Sequence, residues 1–237
     1  ITCRDWSSDV CSSDLDAREF ARLAEDEMAK LPPGIVKPDR RLMIGVDRLD
    51  YSKGVPQRFR AFGEFLARHE DWHRHVSLLQ ISPPTREGVQ AYDAIRQETE
   101  HLSGQINGTY ADITWVPIRF INRPVARETL AGLYRAADVA LVTPLMDGMN
   151  LVAKEYVAAQ DPASPGVLIL SQFAGAAEQM TEALIVNPHD PEQMATAMMT
   201  ALAMPLNERK RRHAALMRVL LKQDVHWWSR GFLTALG

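Results

Sequence analysis

Short apolar runs alternate with amphipathic stretches along most of this 237-residue chain. The apolar runs predict strands at residues 42–46, 76–82, 113–118, 139–143, 167–171 and 183–187. Helical spacing of the apolar positions predicts helices at residues 56–69, 87–105, 124–136, 150–160, 174–181 and 191–203, and one from residue 206 to near the end. This alternation indicates an α/β protein with a parallel, doubly wound, Rossmann-like sheet. Ligands of such sheets bind beyond the carboxyl ends of the strands.

The first fifteen residues, ITCRDWSSDVCSSDL, do not share this pattern. They are rich in Ser and Asp, follow neither period, and contain both cysteines, Cys3 and Cys11. We expect a non-native leader that resembles translated sequencing-adapter read-through, and a disordered native leader is the alternative. The folded lobe is then expected to span residues 16–237, with the true N-terminus of the parent protein missing.

Composition narrows the class of protein. The net charge of −3 gives no indication of a nucleic-acid partner, and no apolar run approaches the length needed to cross a bilayer. Beyond the leader the chain has no cysteine, which excludes a disulfide framework and thiol catalysis there. We expect a cytoplasmic protein.

Residues 143–161, TPLMDGMNLVAKEYVAAQD, carry the strongest chemical signal. Asp147 lies in a Gly-containing turn directly after a predicted strand, and Glu155 follows inside an almost wholly apolar helix. Such a helix is normally buried, and a buried charge needs a partner or a ligand. Two interpretations remain open from the residues alone. Either Glu155 pairs with Lys154 within a packed helix, or it belongs to a binding site.

The first predicted strand runs into VDRLDYSKG, in which Arg48 and Lys53 flank a short loop before a helix that begins near Pro56. Two cations beside a helix N-terminus suit a diphosphate group. The chain contains neither GxxxxGK[ST] nor GxGxxG. The alternative is a solvated loop in which these cations pair with Asp47 and Asp50, and spacing alone favours that alternative.

The second predicted strand runs into SPPTREG, where a Pro-Pro pair fixes an extended turn. Arg86 is thereby expected at the same edge of the sheet, where its guanidinium suits bidentate binding of an anion. An arginine near a helix start is more often a surface residue, so this signal is weak alone.

The segment from His69 to His73 satisfies H-E-x-x-H, the zinc-protease pattern. That site needs one helix that continues through both histidines, and a third ligand in a cleft. Here a predicted helix ends at His69 and a predicted strand begins at Val76. We therefore predict no metal site.

Several long blocks of the chain are similar to one known family. They are GVDRLDYSKG, SPPTREGVQAYDAIR, LVTPLMDGMNLVAKEYVAAQDP, PGVLILSQFAGAAEQ and ALIVNPHD. From about residue 16 to the end, the chain resembles the C-terminal half of the UDP-forming α,α-trehalose-phosphate synthases, a family of retaining glycosyltransferases. The resemblance implies one lobe of the two-lobed GT-B fold, the lobe that binds the sugar nucleotide. It also implies glucosyl transfer from UDP-glucose to glucose 6-phosphate, giving α,α-trehalose 6-phosphate and UDP.

The resemblance assigns roles to the residues of these blocks. Arg48, Lys53 and Asp147 are the expected catalytic residues: the two cations hold the UDP diphosphate as charge grows on it, and Asp147 hydrogen-bonds hydroxyls of the donor glucose. Glu155 is expected on the ribose hydroxyls. The other expected donor-site residues line the uracil pocket or form the turn and helix start that face the donor. They are Ile81, Val125, Gly148, Met149, Asn150, Leu151, Val152, Ala153 and Lys154.

Arg86 matches the family arginine that helps to hold the phosphate of the acceptor. The family pattern implies no cofactor and no metal, because Arg48 and Lys53 take the place of a divalent ion. It implies displacement on one face of the sugar without a protein nucleophile, in which the leaving phosphate helps to deprotonate the acceptor. Met146 departs from the pattern, because a basic residue is expected there.

The resemblance also implies that the N-terminal lobe, which carries most acceptor contacts in the family, is absent from this chain. We therefore expect a fragment that is inactive alone, whose last helix, at about 206–237, crosses to the missing lobe in the parent protein. The family also allows a homo-oligomer at full length. Two alternatives stay open: a stand-alone nucleotide-sugar-binding or regulatory module, and a relative with another acceptor, such as glycerol 3-phosphate, or with ADP-glucose as donor.

Overall fold

The computed structural model describes residues 15–35, 37, 39–84 and 90–222. The strands in these ranges are β1 (Arg41–Val46), β2 (Val76–Ile81), β3 (Ile118–Ile121), β4 (Val139–Val142), β5 (Val167–Ser171) and β6 (Leu184–Val186). The α-helices there are α1 (Ala17–Met28), α2 (Val55–Arg68), α3 (Gln90–Tyr110), α4 (Arg127–Ala136), α5 (Leu151–Ala159), α6 (Pro191–Ala203) and α7 (Leu206–Lys222). Short 3-10 turns occupy Tyr51–Lys53, Glu70–Trp72 and Gly175–Glu178. None of the described helices is both long and apolar enough to span a membrane.

The described strands form one parallel sheet in the order β3-β2-β1-β4-β5-β6. The chain builds outward from β1 to β3, returns to place β4 beside β1, and builds outward again to β6. The strand order therefore reverses between β1 and β4, and a crevice opens beyond the carboxyl ends at such a switch point. The predicted doubly wound, Rossmann-like fold is confirmed.

Each face of the sheet is covered by helices that bury large side chains. On one face, α1, α4 and α5 contribute Phe20, Tyr134 and Tyr156 to a cluster that α7 also joins. On the other face, α2 and α6 contribute Phe59 and Met194. Successive residues of β1 alternate between the two clusters, as the pleat of a strand requires. Burial on both faces explains why the strands are continuously apolar in sequence.

Most predicted boundaries agree with the structure. Strand β5 and helix α6 have the predicted bounds, and β1, β2, β4, β6 and α5 differ by one residue at one or both ends. Helix α3 ends later than predicted, at Tyr110 rather than residue 105. Helix α4 begins at Arg127, three residues after the predicted start.

The third strand is the largest error of the prediction. The apolar run predicts a strand at residues 113–118, whereas β3 is Ile118–Ile121 and Ile113 is exposed. The reason is a turn closed by side chains: Asp112 Oδ1 accepts a hydrogen bond from the Thr114 amide at 2.7 Å. Trp115 then reaches back to the sheet, where its Nε1 donates to the Val76 carbonyl at 2.7 Å. The chain joins the sheet only after this turn.

The predicted helix at residues 174–181 is also wrong, because only the 3-10 turn Gly175–Glu178 forms. This segment is held by the loop after β4 as well as by a few short-range bonds of its own. The Ala176 amide donates to the Met149 carbonyl at 2.8 Å. A Cβ on Gly175 would lie 2.0 Å from the Gly148 carbonyl oxygen, so only glycine allows this approach.

The H-E-x-x-H segment lacks the helix that a zinc site of this type requires. Helix α2 ends at Arg68, and Glu70–Trp72 form a 3-10 turn. The His73 ring contacts the carbonyl of Leu66 through Nε2 at 2.9 Å. The two histidines therefore do not occupy adjacent turns of one helix.

Two predictions about the ends of the chain remain predictions. The proposed leader lies outside the described residues except for Leu15. Helix α7 packs on the first face through Leu216 and Leu220, but residues 223–237, with Trp227 and Trp228, lie outside the described ranges.

Candidate functional site

Two predicted site residues from different loops meet beyond the carboxyl ends of β1 and β4. Lys53 Nζ lies 2.8 Å from Asp147 Oδ2, and the two side chains are only 11% and 5% exposed. Asn150 Nδ2 donates to the same carboxylate oxygen at 2.9 Å. The structure thus brings together residues 94 positions apart in sequence, as the topology of the sheet predicted.

Backbone hydrogen bonds fix the loop after β4 on both sides. On the β1 side, the Ser52 carbonyl accepts from the Leu145 amide at 2.7 Å. Close to this contact, a Cβ on Gly54 would lie 2.7 Å from the Thr143 carbonyl oxygen, and Gly54 also has a φ of +66°. On the β5 side, the Asp147 amide donates to the Phe173 carbonyl at 3.1 Å. The site is therefore set by backbone contacts as well as by its ion pair.

Asn150 links the turn to the helix that follows it. Its backbone has the left-handed φ of +75°, and its side-chain oxygen accepts from the Ala153 amide at 3.2 Å, which caps α5. A capped helix N-terminus beside a cationic loop is a favourable place for a phosphate group. Because α5 begins at Leu151, the predicted donor segment coincides with this helix start.

Arg48 is a predicted diphosphate-binding residue that has no partner among the described residues. Its side chain is half-buried, and it makes no side-chain hydrogen bond or ion pair with the part of the chain that is described. The alternative of a self-paired loop is wrong. Asp47 pairs with Arg58, Asp50 accepts from the amide and hydroxyl of Ser52, and Lys53 pairs with Asp147.

Glu155 is the one acidic residue of α5. Its side chain is 18% exposed and lies 3.9 Å from Arg127 Nε. Burial raises the pKa of Glu155 to about 7, and the charge of Arg127 opposes that rise. Ligand hydroxyl groups that donate to this carboxylate would stabilise its charged form, which burial alone disfavours.

The internal Lys154–Glu155 pair considered from the sequence does not form, because the ion-pair partner of Glu155 is Arg127. Lys154 is itself buried, and this burial lowers its pKa. Nothing in the described structure pairs with its ammonium group. Neighbouring positions on a helix point about 100° apart, which explains why the two side chains separate.

For the remaining predicted site residues that are described, the structure gives a position in the fold but no side-chain contact with the Lys53–Asp147 pair. Ile81 ends β2 and is buried in the cluster against which Val125 packs. Gly148 and Met149 form the turn between Asp147 and α5, with Gly148 exposed. Arg86 lies outside the described residues. In the described ranges, no group of three His, Cys, Asp or Glu residues is placed to hold a metal ion.

Arg58 is a functional candidate that sequence reasoning missed. Its guanidinium is wholly buried beneath the site and bonds to Asp47, Gln80 and Thr143. A signal was present in the sequence. Arg58 falls on the apolar stripe of α2, between positions occupied by Val55 and other buried residues, where an unpaired charge would be costly.

The fold and this edge together define a class of protein. A doubly wound parallel sheet with cations, an anchored aspartate and a capped helix N-terminus at its switch point is typical of nucleotide-binding α/β domains. Comparison with known proteins gives the family. Residues 35–237 match the model of Glycosyltransferase family 20, so the chain belongs to that family.

The relatives of the chain are about twice as long. The trehalose-6-phosphate synthase of Enterobacter sp. (strain 638) is 47% identical over 219 residues, which cover 90% of this chain and 46% of that protein. A solved α,α-trehalose-phosphate synthase (UDP-forming) from Burkholderia xenovorans in complex with glucose-6-phosphate is 48% identical, with a TM-score of 0.88 over 93% of this chain and 49% of that one. A solved Escherichia coli structure bound with UDP-2-fluoro glucose is 45% identical, with a TM-score of 0.89 over 94% and 50%. The chain spans about half the length of the proteins that it matches.

Proposed function

We propose that this chain is the donor-binding half of a retaining glycosyltransferase that moves glucose from UDP-glucose to glucose 6-phosphate, giving α,α-trehalose 6-phosphate and UDP. The observation that carries the proposal is the meeting of Lys53 and Asp147 near the start of α5, while Arg48, in the loop that carries Lys53, has no partner among the described residues. The relatives that bind glucose-6-phosphate and UDP-2-fluoro glucose support the choice of substrates.

In this proposal each group of the edge has a distinct task. Arg48 and Lys53 bind the diphosphate, together with backbone amides at the start of α5. Asp147, kept oriented by Asn150, accepts hydrogen bonds from hydroxyls of the donor glucose. Glu155 accepts from the ribose hydroxyls, and Ile81 and Val125 border the uracil. Arg86 contributes to holding the acceptor phosphate.

The reaction would then proceed without a nucleophile from this chain. The bond between the anomeric carbon of the donor and the UDP oxygen breaks, and the anomeric hydroxyl of the acceptor bonds to that carbon on the same face. The proton of this hydroxyl passes to the leaving phosphate. Arg48 and Lys53 stabilise the negative charge that grows on UDP, so positioning and electrostatics supply most of the rate.

A second candidate is a stand-alone nucleotide-sugar-binding or regulatory module, for which the same edge of the sheet would serve as the binding site. A relative that uses glycerol 3-phosphate or ADP-glucose is a variant of the first candidate. A cytoplasmic location belongs to the same proposal, as does the possibility that the full-length enzyme forms a homo-oligomer. Neither a nucleic acid nor a membrane is proposed as a partner.

The test is titration calorimetry of the 237-residue chain with UDP. We expect weak binding, and no trehalose phosphate when UDP-glucose and glucose 6-phosphate are added. Arg48→Ala should weaken UDP binding by about tenfold or more, since a hydrogen bond to a charged group contributes about 1.5–3 kcal/mol. Arg86→Ala should weaken it less.

The matched control is Arg96→Ala, an exposed arginine on α3 with only distant ion-pair partners at 4.0 Å. This variant should bind UDP like the original chain. Absence of UDP binding in a chain shown to be folded by circular dichroism would refute the donor-lobe proposal. A larger loss for Arg86→Ala than for Arg48→Ala would refute the division of roles between them.

A further inference from the structure

Arg58 connects three neighbouring strands from below the candidate site. Its Nη1 donates to Asp47 Oδ2 at 2.5 Å and to Gln80 Oε1 at 2.8 Å, and its Nε donates to Thr143 Oγ1 at 3.1 Å. Asp47 directly follows β1, Gln80 lies at the end of β2, and Thr143 directly follows β4. One planar guanidinium therefore holds the carboxyl ends of the three central strands.

Each strand end that Arg58 holds leads into a loop of the proposed donor site. Asp47 is adjacent to Arg48, and Thr143 begins the loop that carries Asp147. Gln80 in turn donates through Nε2 to Ser82 Oγ at 3.0 Å, at the start of the loop after β2. Arg58 is buried under these loops and takes no part itself in the Lys53–Asp147 pair.

The sheet leaves space for this contact at one position of β1. A Cβ on Gly45 would lie 2.2 Å from Gln80 Oε1 and 2.7 Å from Arg58 Nη1. Any larger residue at position 45 would displace the guanidinium or the amide. The glycine in an otherwise apolar strand is therefore explained by the arginine that it accommodates.

Stability alone gives a weak reason for burying this ion pair. Buried charges lose hydration, and a well-packed apolar group of similar volume often stabilises a fold as well or better. Helix α2 is already anchored by Phe59, Phe62 and Phe65, all buried. Burial also raises the pKa of Asp47, while the charge of Arg58 opposes this rise. The guanidinium instead fixes the relative positions of its three partners, because its N–H donors have fixed relative directions.

We propose that Arg58 is the positioning residue of the candidate donor site: it fixes the ends of β1, β2 and β4 so that Arg48, Lys53 and Asp147 converge on one ligand. The choice of ligand rests on the proposed function. The fixing of the loops does not, and it can be measured without any ligand.

The test compares Arg58→Lys with Arg60→Lys. Lysine keeps the charge at position 58 but loses the fork that reaches all three strands. Arg60 lies two residues along the same helix, is exposed, and pairs with Glu98. Three quantities are measured for each variant: thermal unfolding, amide hydrogen exchange at residues 47–53 and 143–150, and affinity for UDP and for uridine.

For Arg58→Lys we expect a folded chain with exchange at least about tenfold faster in both loops and unchanged in β5, β6 and α6. Affinity for UDP should fall about tenfold or more, and affinity for uridine should change little, because the displaced groups bind the diphosphate. Arg60→Lys should change none of these quantities.

Three results would overturn the proposal. They are unchanged loop exchange in Arg58→Lys, exchange raised equally throughout the sheet, and equal losses for UDP and uridine. If Arg58→Lys does not fold, Thr143→Val supplies the test, because it removes one acceptor with little change of volume. It should accelerate exchange in residues 143–150 more than in 47–53, and equal acceleration would contradict the proposal. If the unaltered chain binds no UDP, the donor-site proposal fails, and the exchange results still decide whether Arg58 fixes the loops.

Discussion

Glu155 illustrates how a single residue can be destabilising for the fold and useful for the site. Its carboxyl group is buried within α5, with Arg127 as a distant partner at 3.9 Å. Because burial raises its pKa to about 7, the folded chain holds a proton that the unfolded chain, with a value near 4.5, has already lost. A group retained under this penalty is expected to have a ligand.

The sign of the pH dependence follows from that difference. Between pH 4.5 and 7 the folded chain binds more protons than the unfolded one, so the contribution of Glu155 to stability falls as pH rises. Glu155→Gln removes this titration. We expect the difference in unfolding free energy between the variant and the original chain to increase, in favour of the variant, by about 2–3 kcal/mol from pH 5 to pH 8.

Urea unfolding of both chains at pH 5, 6, 7 and 8 measures this gain. The original and variant chains should have similar stability at pH 5 and should diverge as pH increases. Parallel curves across this range would show that Glu155 has an ordinary pKa and that its burial has another explanation.

At the scale of elements, α1 and α4 cross so closely that one residue type is required. A Cβ on Gly132 would lie 2.8 Å from the carbonyl carbon of Glu27 and 2.9 Å from the Met28 nitrogen, both backbone atoms. Backbone atoms cannot rotate away as the end of a side chain can. The contact therefore depends on a glycine inside a helix, where glycine is otherwise unfavourable.

Gly132→Ala should consequently force the two helices apart. We expect a loss of about 1–3 kcal/mol in the free energy of unfolding, the usual effect of overpacking. Gly104→Ala is the matched control, because Gly104 lies in α3 with nothing within 4 Å of the added Cβ. It should gain about 0.5–1 kcal/mol from helix propensity. Denaturant unfolding of both variants measures the contrast, and equal effects would contradict the close approach.

The starts of α6 and β3 show which structural features can be predicted from sequence. Helix α6 begins at Pro191 after the capping residue Asp190, a local signal that fixes its start. Strand β3 was misplaced because its approach depends on Trp115 bonding to a carbonyl of β2, 39 positions away. Local chemistry was predictable, and contacts between distant segments were not.

For the whole molecule, the predicted fold class is confirmed, and two of the three sequence blocks predicted to meet at one edge do so through Lys53 and Asp147. The buried hydrogen-bond network of Arg58 beneath that edge could not be predicted. Arg58 was not predicted, because its three partners come from strands whose order had to be known before they could be seen as neighbours. Residues of the candidate site are recognisable from local sequence patterns. The buried residue beneath them, Arg58, is recognisable only once the order of the strands is known.

The proposed function has a consequence for the stability of the whole lobe. A ligand that binds only the folded chain stabilises it by RT ln(1 + [L]/Kd), about 1.4 kcal/mol at ten times Kd. For a domain of this size that corresponds to a rise in Tm of about 3–6 °C. UDP should therefore raise the Tm with a dependence on concentration that gives the calorimetric Kd.

The double variant Lys53→Met/Asp147→Asn separates this linkage from unspecific effects of the nucleotide. It replaces the buried ion pair by neutral groups of similar size, which leaves no unpaired charge, so its own Tm should stay close to that of the original chain. UDP should raise the Tm less than it does for the original chain, because one of the two cations proposed to bind the diphosphate is gone. If the double variant and the original chain shift equally with UDP, the nucleotide binds elsewhere, and the edge formed by β1 and β4 is not the donor site.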